Sequence, residues 1–317
     1  MRLLDRLFGK RPSAEQQGLA LGIRNPIEPA VTGIQRDEAY ADTARIPQLS
    51  DYVAQVIVSM IKRSTDAPVI QLTASDISPT AFDTKIGGEF YVPEAMRPPR
   101  NQETGKPLYL LAQLNFDELP HLPDFPEHGL LQFFIAGDDP LYGMNLDYPH
   151  SQKTWRIRYI PTLPHTVSPS RIFRPAWRDG TALPIPSENY ALRLTPTLAT
   201  QPISTSDHRF DAELQRCVGA MNDRDRDFYH MHEAEISDTL GDLLAWGGHQ
   251  VGGYPLFTQD DPRTNDPAWR DADTMLLQID SIDDVTFGDG GVANFFIRPD
   301  HLRHLDFSHV LYTWDCY

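Results

Sequence analysis

Asp260, Asp261 and Arg263 bring two carboxylates and a guanidinium into one short segment, directly after Gln259. Opposite charges at that spacing form either an ion pair that fixes the loop or a polar site at the mouth of the fold. Gln113 with Asn115, and Gln278 with Asp280, set two polar groups two residues apart inside otherwise apolar runs. On a strand that spacing sends both polar side chains to one face, and Leu114 or Ile279 to the other. Such pairs either line a cleft or brace neighbouring loops through hydrogen bonds to backbone. Gln113, Asn115, Gln259, Asp260, Asp261, Arg263, Gln278 and Asp280 are therefore the candidate ligand-binding residues. Trp177 and Trp269 stand among polar residues, and an indole there is either a partner contact or a lid over the edge of a core.

Familiar catalytic and cofactor patterns are missing. Gly247 and Gly252 have the glycine spacing of a P-loop, but Gly253 and Tyr254 occupy the places of the lysine and the hydroxyl residue that would hold phosphate and magnesium. No G-x-G-x-x-G turn follows a strand. Gly247 and Gly248 read instead as a left-handed helix cap, and Gly252 and Gly253, like Gly87 and Gly88, as tight turns beside a close backbone approach. His230 and His232 diverge on a helix, and the second histidine of an H-E-x-x-H motif is replaced by Ile236. Paired aspartates such as Asp283 and Asp284 lack the EF-hand run and suit turns, as does Asp289 between two glycines. Neither cysteine stands in a catalytic context. The expectation is no metal and no cofactor, with the balance against an enzyme. Hydrolysis by two carboxylates at a set separation stays open, because sequence does not measure that separation.

Regular elements must position these residues, and their patterns are visible along the chain. Residues 9 to 47 are rich in Pro, Gly and polar residues and read as an irregular lead-in. A helix follows, with Leu49, Tyr52, Val53, Val56, Ile57 and Met60 as its apolar stripe and Pro47 and Ser50 marking its start. VIQL at 69 to 72 reads as a short strand. The block from 86 to 160 alternates apolar runs (YLLAQLNF, GLLQFFI, WRIRYI) with turn residues, the pattern of β-structure. Residues 161 to 210 carry so many prolines that long regular elements are not expected there, beyond an edge strand in YALRL. Helices return over 211 to 248, and strands resume at MLLQI, ANFFI and HVLYTW.

The two β-rich blocks are related. Ile86-Gly87-Gly88 answers Val251-Gly252-Gly253, and Leu110 to Asn115 answers Met275 to Asp280, both at an offset of 165 residues. Gly129 to Ile135 answers Gly291 to Ile297 at an offset of 162. Each copy thus reads as a Gly-Gly turn, a strand carrying Gln-x-Asn/Asp, a loop, and a strand ending Phe-Phe-Ile. The stretches KIGG, LLAQLNFDELP, GLLQFFI, GGYPLFTQDDPR, LLQID and GDGGVANFFI together resemble the YwqG-like family, a bacterial family without an established activity. The resemblance covers residues 80 to 317. It implies an α+β, mainly antiparallel, roll-like fold of two similar β halves, with an N-terminal helix and helices between the halves. IGGEFYVPE departs from the family's pattern, which places a proline soon after the glycines. The expected division is residues 1–80 as lead-in and helix, and 81–317 as one domain: a first β copy (81–160), a Pro-rich connector (161–210), helices (211–248) and a second β copy (249–317).

The chain has 317 residues, 44 acidic against 28 basic side chains and a formal charge of -16. That balance repels nucleic acid and anionic membranes, whose binders need clustered Lys and Arg, and either steers basic partners toward the surface or only keeps the chain in solution. Cys217 and Cys316 are far apart in sequence and suit free thiols in a reducing, cytoplasmic setting. No apolar run approaches the length of a membrane span. MRLLDRLFGK has a charged, interrupted start unlike a secretory signal, and its apolar side is either a weak membrane or partner contact or a frayed terminus. Members of the resembled family occur near toxin and immunity loci. The leading expectation is a cytoplasmic acidic protein that binds another macromolecule, as an immunity or inhibitor protein against a basic toxin domain. The alternative is a small-ligand binder or hydrolase using a polar cleft between the β halves.

Overall fold

The computed structural model describes residues 37–317 apart from 265, 267 and 268, with the backbone alone over 37–48. The amphipathic start at MRLLDRLFGK lies outside the described residues. Helix α1 runs Asp37–Thr65, so it begins ten residues before Pro47, inside the stretch expected to be irregular. Proline lacks an amide donor but does not forbid helix on both sides of it. The buried face of α1 is Val53, Ala54, Ile57, Val58 and Ile61, whereas Tyr52, expected in the stripe, is exposed. The stripe is rotated because α1 packs on two other helices at once, α2 (Phe210–Gly219) and α4 (Glu233–Leu243), with α3 (Asp223–Met231) closing the layer. These four helices have their own core, including Ile57, Leu214, Val218, Ile236 and Leu240.

Ten strands form one antiparallel sheet: β1 (Ala67–Ala74), β2 (Lys85–Gly87), β4 (Leu108–Asn115), β5 (Leu130–Ala136), β6 (Arg156–Ile160), β8 (Ala191–Gln201), β9 (His249–Gly252), β10 (Thr274–Asp280), β11 (Val292–Ile297) and β12 (Leu311–Asp315). The order across the sheet is β12-β11-β10-β9-β1-β8-β2-β4-β5-β6. Two short strands, β3 (Phe90–Tyr91) and β7 (Ile172–Phe173), pair separately over the first half. The fold is therefore α+β and mainly antiparallel, with two similar four-stranded wings, β2-β4-β5-β6 and β9-β10-β11-β12, as the repeats require.

The leading strands of the wings are exchanged. β1 precedes the first wing in sequence but pairs with β9 of the second, and β8 precedes the second wing but pairs with β2 of the first. β1 and β8 then pair with each other over eight residues at the sheet's centre. β1 lies before the expected boundary at residue 80 yet is paired on both flanks. β8 corrects the expectation for the Pro-rich connector, since it spans eleven residues and is central rather than an edge. Pro196 is tolerated because β2 pairs with β8 only from Ala191 to Arg193, so at Pro196 one flank has no strand requiring a donor.

The sheet curls so that its wings face each other. Phe133 and Phe295, equivalent residues of the two copies, meet with ring centroids 4.9 Å apart, and Trp155 and Tyr312 pack beside them. Burying each such ring contributes roughly 2–3 kcal/mol. Both copies carry a β-bulge at the same place, between Leu110 and Ala112 and between Met275 and Leu277. The extra residue turns Leu111-Ala112 and Leu276-Leu277 inward in succession and reverses the inward-outward phase for the rest of each strand. That reversal sends Gln113 and Gln278 to the outer, convex face.

Candidate functional site

The polar pairs serve the backbone in matched ways. Gln113 donates to the Asp83 carbonyl at 2.9 Å, and Gln278 to the equivalent Gly248 carbonyl at 2.8 Å. Thr84 Oγ1 accepts from the Asn115 amide at 3.0 Å, as His249 Nδ1 accepts from the Asp280 amide at 3.1 Å. Gln132 donates to the Tyr91 carbonyl, and its counterpart Asn294 to that of Leu256. Lys85 Nζ reaches the Glu89 carbonyl where Gln250 Nε2 reaches that of Tyr254. Burial pushes the Lys85 ammonium down to about 8. Each of these contacts ties a strand to a neighbouring strand or to a segment flanking one.

Gln113 and Gln278 are fully buried. Their strands stand five places apart in the sheet, and strands are spaced by about 4.8 Å, so on a convex face the two amides diverge. The structure does not bring Gln113 and Asn115 together with Gln278 and Asp280. Asp280 instead accepts from the Gly248 amide at 2.7 Å. Gln259 and Asp260 are exposed, and the Gln259 side chain donates to the Cys316 carbonyl at 2.6 Å.

Asp261 and Arg263 do meet, inside the protein. The guanidinium is fully buried, binds Asp261 through Nε and Nη2, reaches Asp207 at 3.1 Å and lies 4.2 Å from the centre of the Phe296 ring. Asp207 in turn holds Arg209 through two hydrogen bonds of 2.7 and 2.8 Å. Burial raises the Asp207 carboxyl, but Arg209 and Arg263 together outweigh it and leave the pKa below the ordinary value. Asp207-His208-Arg209 and Asp261-Pro262-Arg263 are the same device: the carboxylate accepts from both the amide and the Nε of the arginine two residues on. Sequence reasoning misses Asp207 and Arg209, although the shared Asp-x-Arg spacing is a signal that could find them.

Arg209 carries this network to the surface. It stacks on Tyr254 at 5.4 Å and approaches Asp273 at 3.7 Å. Beside them lies a cavity of about 250 Å³ lined by Gly252, Gly253, Leu122, Phe125 and Met275, hence by both halves of the sheet. Gly252 and Gly253 are left-handed, at φ of 71° and 70°, as are Gly87 and Gly88. A Cβ on Gly253 would come within 2.2 Å of the Gln201 Oε1, which is the close approach expected there. Gly248 is also left-handed, but α4 ends at Leu243 with Leu244 as its cap, so Gly248 opens β9 rather than closing the helix. Asp289 sits in the turn closed by the Gly291 amide on the Phe287 carbonyl.

Trp269 requires a correction as a partner contact. It is buried with Phe257, Met275 and Phe296, against side chains of β10 and β11. Trp177 is half-buried against the main core. Among the described residues no three His, Cys, Asp or Glu side chains gather as metal ligands, and no helix is long and apolar enough to cross a membrane. Cys217 and Cys316 are buried free thiols.

Both copies fall within one known family. The family described as Domain of unknown function (DUF1963) matches residues 84–316, well over half of the chain. The chain belongs to that family. Its matched region takes in every strand of the two wings but leaves out β1, the strand at the centre of the sheet. No curated protein matches the chain.

Proposed function

We propose that the protein binds a basic macromolecule through its helical layer. The observation that carries this reading is the exposure on α3 and α4 of Asp227, Glu235, Asp238 and Asp242 together with two apolar side chains, Met231 and Leu243. Acids steer a basic partner, and exposed apolar side chains supply the contact that charge alone lacks. The matched family region fits the YwqG-like resemblance, and the immunity setting which that resemblance implies suits an acidic inhibitor of a basic toxin domain; this is analogy of setting. The test is capture from the native host. One stoichiometric basic protein is expected, lost on joint Asp227→Lys and Asp238→Lys replacement and retained on Asp147→Lys. Capture indifferent to the first pair removes the reading.

A second reading has its own observation, the cavity between the halves beside Arg209, Tyr254 and Asp273. There the protein is a small-ligand binder. A metabolite that raises Tm for the unaltered chain but not for Asp273→Asn supports it.

A further inference from the structure

Arg156 and Arg158 stand on one face of β6, an edge strand of the sheet, and both are half-buried. Among the described residues neither has a carboxylate partner. Every other described arginine that is buried or half-buried, namely Arg171, Arg193, Arg209, Arg226 and Arg263, lies within ion-pair distance of an aspartate or glutamate. A guanidinium taken from water without a counter-charge is costly. Burial pulls both pKa values below the ordinary one, and the charge of Arg156 pulls Arg158 further. Two like charges thus stand side by side without an acid. The Arg158 guanidinium is held by the Arg97 carbonyl, which accepts from Nη2 at 3.0 Å, and by the Phe134 ring, whose centre is 5.9 Å away. Among the described residues no hydrogen bond engages the Arg156 side chain; its Nε is buried, while both Nη groups stay open to solvent.

The second copy shows what such a face takes. Phe134 and Phe296 are equivalent, and on the edge strands they stand opposite Arg156 and Leu311. Over Phe296 lies another guanidinium, that of Arg263, and there Asp261 and Asp207 supply the carboxylates. The first copy has the ring and the guanidinium but not the acids. We propose that Arg156 and Arg158 are a docking site for an acidic segment of a partner protein, whose carboxylates take the place that Asp261 and Asp207 fill in the second copy. Side chains two residues apart on an extended segment share a face, so acids at that spacing match the two arginines. Exposed Met96 and Arg97 adjoin them and widen the surface. The site is on the first wing and takes the opposite charge to the helical layer, so it stands or falls independently of the function proposed above.

Fluorescence anisotropy of the full chain tests it, with a short labelled peptide of alternating glutamate and threonine as the probe. The peptide should saturate and bind at least about tenfold more tightly than its glutamine counterpart, which cannot form charge-assisted hydrogen bonds. Joint Arg156→Met and Arg158→Met replacement should weaken it by about tenfold or more, while Arg224→Met, on α3, leaves it unchanged. The joint variant removes two uncompensated charges and keeps their apolar stems, so its Tm should hold or rise. A fall in Tm of more than about 5 °C would make the arginines structural and overturn the site. Equal affinity for the glutamate and glutamine peptides would overturn it too, as would the absence of saturation up to about 1 mM. Inorganic phosphate that displaces the peptide at a concentration below the peptide's own Kd would give the site to a free anion instead. Self-association of the unaltered chain that the joint variant abolishes would give it to a second copy; either result would overturn the acidic partner.

Discussion

His249 and Asp315 place opposed pH dependences on the same fold. Burial pushes the His249 imidazole down to about 4, and its neutral Nδ1 is needed as the acceptor for the Asp280 amide. The folded chain therefore binds fewer protons than the unfolded one between about pH 4 and 6.5, and the stability contributed by His249 is lost as pH falls through that window. Its full size is roughly 3 kcal/mol. Asp315 is pushed up to about 6 by burial, against the two amides of Thr258 and Gln259 that favour its charged form. Its folded pKa lies above the unfolded one, so its contribution falls as pH rises from about 3.8 through 6. The two slopes oppose each other. Urea midpoints should vary little between pH 4 and 6 in the unaltered chain, fall with pH in His249→Thr, and rise with pH in Asp315→Asn. Threonine is the natural choice, since Thr84 does the same work in the first copy. At Arg263 the outcome is simpler. Arg263→Ala leaves Asp261 and Asp207 buried without that guanidinium, and urea unfolding at neutral pH should show a loss of roughly 3–5 kcal/mol.

Among the elements, the strands and their Gly-Gly turns are readable in sequence because burial enforces their pattern. The repeat of Ile-Gly-Gly, Gln-x-Asn/Asp and Phe-Phe-Ile marks positions where a left-handed turn, an outward amide and an inward ring recur. β8 is not readable as a central strand, since its proline is acceptable only where β2 has already ended. Periodicity sets the face of α1 off by part of a turn, because it shows an apolar stripe but not how many neighbours share it. Gly253→Ala should lower Tm and cost about 2 kcal/mol or more, combining a left-handed backbone with overlap at Gln201 and Val69. Gly241→Ala, on α4 with nothing near its missing Cβ, should instead stabilise by about 0.5–1 kcal/mol.

For the molecule as a whole, exchange of β1 and β8 means that neither wing is a separable unit. Residues 84–316 contain both wings, yet without β1 they expose facing edges on β8 and β9. Unpaired edges favour association over folding. A fragment of residues 75–317 should therefore aggregate or lose cooperative unfolding by circular dichroism, whereas residues 37–317 should unfold in one transition. Independent, cooperative folding of the shorter fragment would show that the central strand is dispensable.

By itself the sequence determined the fold class, the duplication and the turns, because burial periodicity and glycine stereochemistry are local constraints repeated twice in one chain. It also nominated Asp261 with Arg263, whose spacing alone brings them together. Only the tertiary structure decided what those residues are for. Whether Gln113 and Gln278 line a cleft depends on which face of a curled sheet they occupy and which carbonyls lie over them. Whether Trp269 is available to a partner depends on its packing against Phe257, Met275 and Phe296, which lie far from one another in sequence.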